Sequence, residues 1–209
     1  MPLALVVRRH FRKKKMRQKF LLLTYILVTF YSCNNKSKEQ LTTKETTYSM
    51  LKLYKSIDNQ LHYWETWDKD TKTAIIHWGI VGQRGQTKEV KSGLFSNFRK
   101  TVQKEVDEKI TEGYDELSED EISTLEIEYI VDGFGTEKDL DKRQRLQDKM
   151  DDVLGWTGLG HVDGGSSGSG TMEVCCLVVD FDIAKRIIEE SLKGTEFSNY
   201  TRIYEEEKE

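Results

Sequence analysis

Two stretches of this chain hold residues whose types and spacing could do chemistry. In the first, Gly155-Trp156-Thr157-Gly158-Leu159-Gly160-His161-Val162-Asp163-Gly164-Gly165, an imidazole and a carboxylate stand among glycines. Cys175 and Cys176 follow on a segment that could pair with it. A thiol, an imidazole and a carboxylate can together activate a nucleophile. A thiol hydrolase using His161 and Asp163 with Cys175 or Cys176 is therefore one reading. A glycine-rich hairpin with surface His and Asp has the same residues and is the reading preferred here. Backbone N–H groups in such a loop could hold an anion, but the surrounding charge is strongly negative.

The second stretch is Trp78-Gly79-Ile80-Val81-Gly82-Gln83-Arg84-Gly85-Gln86. It reads as a strand end, a tight turn and a new strand. Trp78 is expected in a core or half-buried, Arg84 as a solvated turn residue, and the glycines as servants of turn geometry. No phosphate-binding glycine pattern is present. His10, His62, His77 and His161 lack metal-ligand spacing with one another and with the cysteines. Calcium-loop spacing is also missing. No metal or cofactor is expected.

These residues need elements to hold them. Ser49 to Lys55, Leu61 to Trp67, Thr73 to Trp78 and Thr87 to Lys91 read as strands, rich in aromatic and β-branched residues. Asp68-Lys69-Asp70 reads as a turn. Leu94, Phe98, Thr101/Val102 and Val106 recur at helical spacing between Gly93 and Gly113. Farther on, Leu125 to Val131 alternates as a strand. Glu137 to Leu154 reads as a helix burying Leu140, Leu146, Met150, Val153 and Leu154. Trp156 to Val162 reads as a short strand, Asp163 to Gly170 as a flexible loop, and Met172 to Val179 as a central strand. Asp180 should cap a helix from Phe181 to Lys193, with Ile183, Ile187, Ile188 and Leu192 inward. Thr201 to Tyr204 closes the series. The class is α+β. A small antiparallel sheet with one helix precedes a β-α-β-β-α-β, ferredoxin-like domain. The expected boundaries are 48–114 and 123–209, with an acidic linker at 115–122.

Residues 48–114 resemble the WGR domain, a module found in poly(ADP-ribose) polymerases and in many bacterial proteins. The resemblance rests on Trp78-Gly79, Val81-Gly82, Gly85-Gln86, the helix, and Lys109 with Gly113-Tyr114. Tyr63-Trp64-Glu65 looks like an aromatic motif of the preceding strand. In that family the tryptophan packs on a nucleic-acid sugar and the arginine helps bind DNA or couple to neighbouring domains. The resemblance implies Trp78, Arg84, Gln86 and Trp64 as binding residues. Ile80 stands where the arginine should be, and Arg84 is nearby but not equivalent. Losing that planar multi-donor cation puts DNA binding in doubt.

The amino terminus points to export. Residues 1–20 hold eight basic side chains and no acidic one, and Phe20 to Ser32 carries no charge. That run is shorter than the roughly 20 residues of a membrane-spanning helix, so residues 1–32 read as a signal peptide, started at Met1 or Met16. Thr29-Phe30-Tyr31-Ser32-Cys33 resembles the lipobox of bacterial lipoproteins. By that resemblance Cys33 becomes the lipidated first residue of the mature protein. Residues 33–47 hold one leucine and no aromatic residue and read as a flexible tether.

Charge narrows the function. Residues 34–113 carry 14 basic and 11 acidic groups, whereas 114–209 carry 10 and 25, a net of −15. Nucleic-acid binding draws affinity from Lys and Arg, so it is disfavoured although possible. Cys175 and Cys176 are adjacent, which strains a disulfide between them, and at least one should be buried. The expected protein is a non-enzymatic, membrane-anchored lipoprotein of the bacterial cell envelope, without an identified small-molecule substrate. Its expected partner is a protein with a basic surface, with an immunity or inhibitor role as one version.

Overall fold

The computed structural model describes residues 50–93 and 97–207. Cys33, the signal peptide and the tether lie outside the described residues, as do Leu94, Phe95 and Ser96. The chain divides into Met1–Thr47 and a compact unit, Tyr48–Glu209. The fold of that unit is α+β, with two four-stranded antiparallel sheets.

The first sheet comprises β1 (Met50–Ile57), β2 (Gln60–Asp70), β3 (Thr73–Ile80) and β4 (Gln86–Lys91), in that order. Residues of one parity line each face of a strand. Leu51, Leu53, Trp64, Ala74 and Ile76 share the face that packs on α1 (Phe98–Thr111) through Phe98, Val102 and Val106. Asn97 caps α1 by accepting from Arg99 N. Sequence reading placed a turn at Asp68–Asp70. Instead β2 runs through Asp70 with a register shift between Asp68 and Asp70, and the chain turns at Thr71-Lys72.

The second sheet has β5 (Ser123–Ile130), β6 (Gly160–Gly168), β7 (Thr171–Val178) and β8 (Arg202–Glu205) in the order β6-β7-β5-β8. Helices α2 (Glu137–Trp156) and α3 (Phe181–Leu192) connect them in the chain order β-α-β-β-α-β. Thr136 and Asp139 form a capping box at α2, and Asp180 accepts from Ile183 N at 2.9 Å to cap α3. Leu125, Ile127, Tyr129, Met172, Val174 and Cys176 face the helices, where Leu146, Met150, Leu154, Ala184, Ile188 and Leu192 meet them. Ile183 and Ile187 are partly buried, and Leu140 is 43% exposed, outside the core.

Two expectations fail around β6. Trp156 ends helix α2 instead of starting a strand, and Asp163–Gly168 is strand, with only Ser169-Gly170 left to turn. The glycines there serve close approach. A Cβ on Gly160 would sit 1.9 Å from the carbonyl oxygen of Leu177.

The presumed linker does not separate two bodies. Tyr54 and Tyr63 of the first sheet and Val81 of the turn after β3 share one core with Leu159, Ile188 and the inner face of the second sheet. Asp115 pairs with Tyr54, and Leu117 packs on that core.

Candidate functional site

The Trp78 turn splits into parts with different fates. Trp64 and Gln86 flank Trp78 across the sheet. Trp64 is 3% exposed in the α1 core, so it offers no surface to a partner, contrary to its expected binding role. Trp78 is half-buried against the same cluster, with Lys88 Nζ 5.9 Å from its ring centroid. Gln86 is exposed. Arg84 is exposed yet not simply solvated, because its guanidinium lies 5.3 Å over the Trp156 ring. Gly82 takes a positive φ of 83° and donates to Thr157 O at 2.9 Å. Gly85 answers to space, since a Cβ there would lie 2.1 Å from the Tyr63 hydroxyl. The turn therefore docks the first sheet on the connection after α2.

Beneath it runs a chain of buried polar groups that the sequence did not single out. His77 is 1% exposed, Glu65 2% and Tyr63 0%. His77 Nδ1 lies 2.6 Å from Glu65 Oε1, and Nε2 lies 3.0 Å from the Tyr63 hydroxyl. Lys52 Nζ stands 3.1 Å from Glu65 Oε2 without hydrogen-bond alignment. With Nδ1–H donating to the carboxylate, Nε2 accepts the tyrosine proton. The Trp156 ring closes edge-on over His77 at 5.1 Å. Burial, then the Glu65 charge, pushes the Tyr63 phenol well above its ordinary value. Tyr63 stays neutral and sealed, so this set works as a joint between the two sheets. Alternation places Tyr63 and Glu65 on one face of β2. Only the register, Glu65 opposite His77, brings the imidazole to them.

His161, Asp163 and Cys175 lie on neighbouring strands, but the imidazole is not opposite the thiol. His161 pairs with Leu177, Cys175 faces Gly164, and Asp163 sits in the register shift between Val162 and Gly164. Cys175 opposes Glu126 on β5. Burial and a hydrogen bond with Glu126 push its thiol up to about 12, with Asp163 and Glu206 adding repulsion. Thiolate is disfavoured there, the reverse of what a nucleophile needs. Cys176 is fully buried, and both cysteines are thiols.

The face of the second sheet away from α2 and α3 is carboxylate-rich. Glu126 and Cys175 adjoin Glu128 and Glu173, which oppose each other directly. Arg202 relieves that pair by a two-pronged contact to Glu128 at 3.0 and 2.7 Å. Glu126 is half-buried, and its carboxyl is raised by burial first and then by Glu173, Glu206 and Asp163 against the lowering bond from Cys175.

A cleft of about 690 Å³ is lined by Met50, Lys52 and Tyr54 of β1, by Asp151 and Gly155 of α2 and by His161 of β6. Its walls include Leu117, Val162, Leu177 and Val179, with Glu116 and Asp151 among its charged residues. Among the described residues no group of three or more His, Cys, Asp and Glu could hold a metal ion. No helix among them is long and apolar enough to cross a membrane. Comparison with family models, curated proteins and solved structures gives no match to this chain.

Proposed function

We propose that this chain is a non-enzymatic binding protein of the bacterial envelope, held by a lipid on Cys33, whose second module receives a basic protein surface. The observation that carries the reading is the helix-free face of β5 and β7. There Glu126 and Glu173, with Asp163 and Glu206 close enough to act on Cys175, outnumber the one arginine that answers them. Such a face attracts cations over a distance and favours their approach.

In this reading residues 48–114 are WGR-like and residues 123–209 ferredoxin-like. The strand order β6-β7-β5-β8 and the β-α-β-β-α-β sequence support the second assignment. Burial of Trp64 removes one of the side chains that a nucleic-acid reader would use, and Arg84, although exposed, lies over Trp156. A role as an immunity or inhibitor protein, neutralising a basic partner, fits this face.

The test is a crosslinking pull-down from envelope extract at low salt, with wild type and a Glu126→Gln/Glu173→Gln variant. Wild type should recover a basic protein, and the variant should lose most of it. Added salt should weaken recovery, because exposed charges are screened. Absence of any basic partner with the wild type overturns the reading.

A further inference from the structure

We propose that the cleft beside β1 is a strand-addition site that takes an extended segment of alternating apolar and basic residues from a protein partner. It rests on the reading of the chain as a binder of a basic protein, and it names the place and the form of the bound segment.

The argument begins with backbone parity. Tyr54 N donates to Asp115 O at 2.8 Å, and Asp115 N donates to Tyr54 O at 3.0 Å. Both polar groups of Tyr54 thus point away from β2. Outward and inward residues alternate along an antiparallel strand. Lys52 and Met50 share the parity of Tyr54, so their N–H and C=O groups also point outward. Among the described residues, each pairs only with β2, at Glu65 and Trp67.

Beyond the Tyr54–Asp115 bridge the covering chain, which passes Glu116 and Leu117 in the cleft wall, forms no further ladder with β1 among the described residues. After Leu117 it is drawn into a tight turn, where Ser118 N and Oγ both donate to Glu121 Oε2, at 2.9 and 2.8 Å. The edge at Lys52 and Met50 is left facing the cleft, which both residues line. Unpaired backbone groups on an exposed strand are a template for another strand.

The lining fixes the chemistry of that strand. Leu117, Val162, Leu177 and Val179 offer apolar wall, and Met50 is 55% exposed beside them. Side chains of one parity on an added strand would cover this wall. The charged residues of the cleft are Glu116, Asp151 and Lys52, and Lys52 is already matched by Glu65. Glu116 and Asp151 are exposed carboxylates on a module with a net charge of −15. Lysine or arginine between the apolar residues complements them. Main-chain hydrogen bonds supply affinity in this mode, and alternate side chains supply specificity.

The test uses the full chain in detergent and three octapeptides. They are alternating Lys-Val, the same peptide N-methylated at every second residue on its pairing edge, and alternating Glu-Val. The Lys-Val peptide should bind and slow hydrogen exchange in β1. The N-methylated and Glu-Val peptides should bind about tenfold more weakly, as expected when a few net hydrogen bonds or charge contacts are lost. Met50→Pro removes one outward N–H at the first residue of β1, where proline is tolerated, and should weaken binding similarly with unchanged circular dichroism.

Equal binding of the plain and N-methylated cationic peptides overturns strand addition whether or not Met50→Pro folds. If Glu126→Gln/Glu173→Gln then abolishes that binding, the basic-partner reading survives and only the cleft is wrong. Failure of both cationic peptides to bind at low salt counts against both. A wild-type dimer that Met50→Pro dissociates would give the edge to a second copy of this chain and overturn the proposed occupant.

Discussion

Tyr63, His77 and Glu65 bond one another in a buried chain, with Glu65 Oε2 left beside Lys52 without a hydrogen bond. Replacing Tyr63 with Phe leaves Nε2 of His77 buried without its partner. A buried group left unsatisfied costs about 1–3 kcal/mol, and urea denaturation of Tyr63→Phe at pH 7 should show a loss of that order. The raised phenols of Tyr54, Tyr63 and Tyr129 also set an alkaline limit. Because the folded state holds these protons more tightly, their contribution is complete below the ordinary value of 10. It is lost as pH rises from there towards the higher folded values. Urea midpoints should therefore fall steeply above about pH 10, and less steeply in Tyr63→Phe. An unchanged slope would deny that Tyr63 titrates differently in the folded and unfolded chain. Cys175 gives a second check at this scale. Iodoacetamide should label it far more slowly than a small thiol at pH 7.5, and Glu126→Gln should quicken labelling by removing a charge that holds the proton. Rapid labelling in the wild type would revive a reactive thiol.

At the scale of elements, the connection from α2 to β6 ties the two sheets together by hydrogen bonds. Tyr54 donates from its hydroxyl to Gly158 O at 3.2 Å, and Gly82 N bonds Thr157 O. Gly158 has a φ of 66°, and a Cβ there would fall 2.2 Å from Tyr63 Cδ1. Backbone strain of about 1–3 kcal/mol and overpacking of about 1–3 kcal/mol act together at this site. Gly158→Ala should lower the thermal midpoint sharply, whereas Gly155→Ala, with open space around its Cβ, should not. Equal midpoints for the two variants would remove the joint from its assigned place. This region was also the least legible in sequence. Glycine density suggested flexibility in Asp163–Gly170, because composition carries no record of a neighbour. The residues make strand because β7 offers a complete ladder, and the missing side chains let backbone, Arg143 and Gln147 approach. Similarly, Leu140 fits the helical stripe of α2 but lies in its first turn, beyond the cover of the sheet.

The whole compact unit from Tyr48 to Glu209 should unfold as one. The first sheet keeps a cluster of its own on α1, but Tyr54, Tyr63 and Val81 are built into the core of the second. Tryptophan fluorescence draws on Trp64, Trp67, Trp78 and Trp156, whereas far-ultraviolet circular dichroism weights α2 and α3. The two signals should trace coincident urea transitions. Two separated transitions would restore independent domains. By itself the sequence determined the order of the helices and strands and the anionic character of the second half. Periodicity and net charge are local or additive properties, and the chain displays both directly. Only the tertiary structure decided that Trp64 is core, that Arg84 rests on Trp156, and that His77 meets Tyr63 and Glu65. Those facts depend on strand register and on the packing of one sheet against the other, which bring together residues up to about a hundred positions apart. Such contacts satisfy buried polar groups through geometry, and spacing along the chain does not encode it.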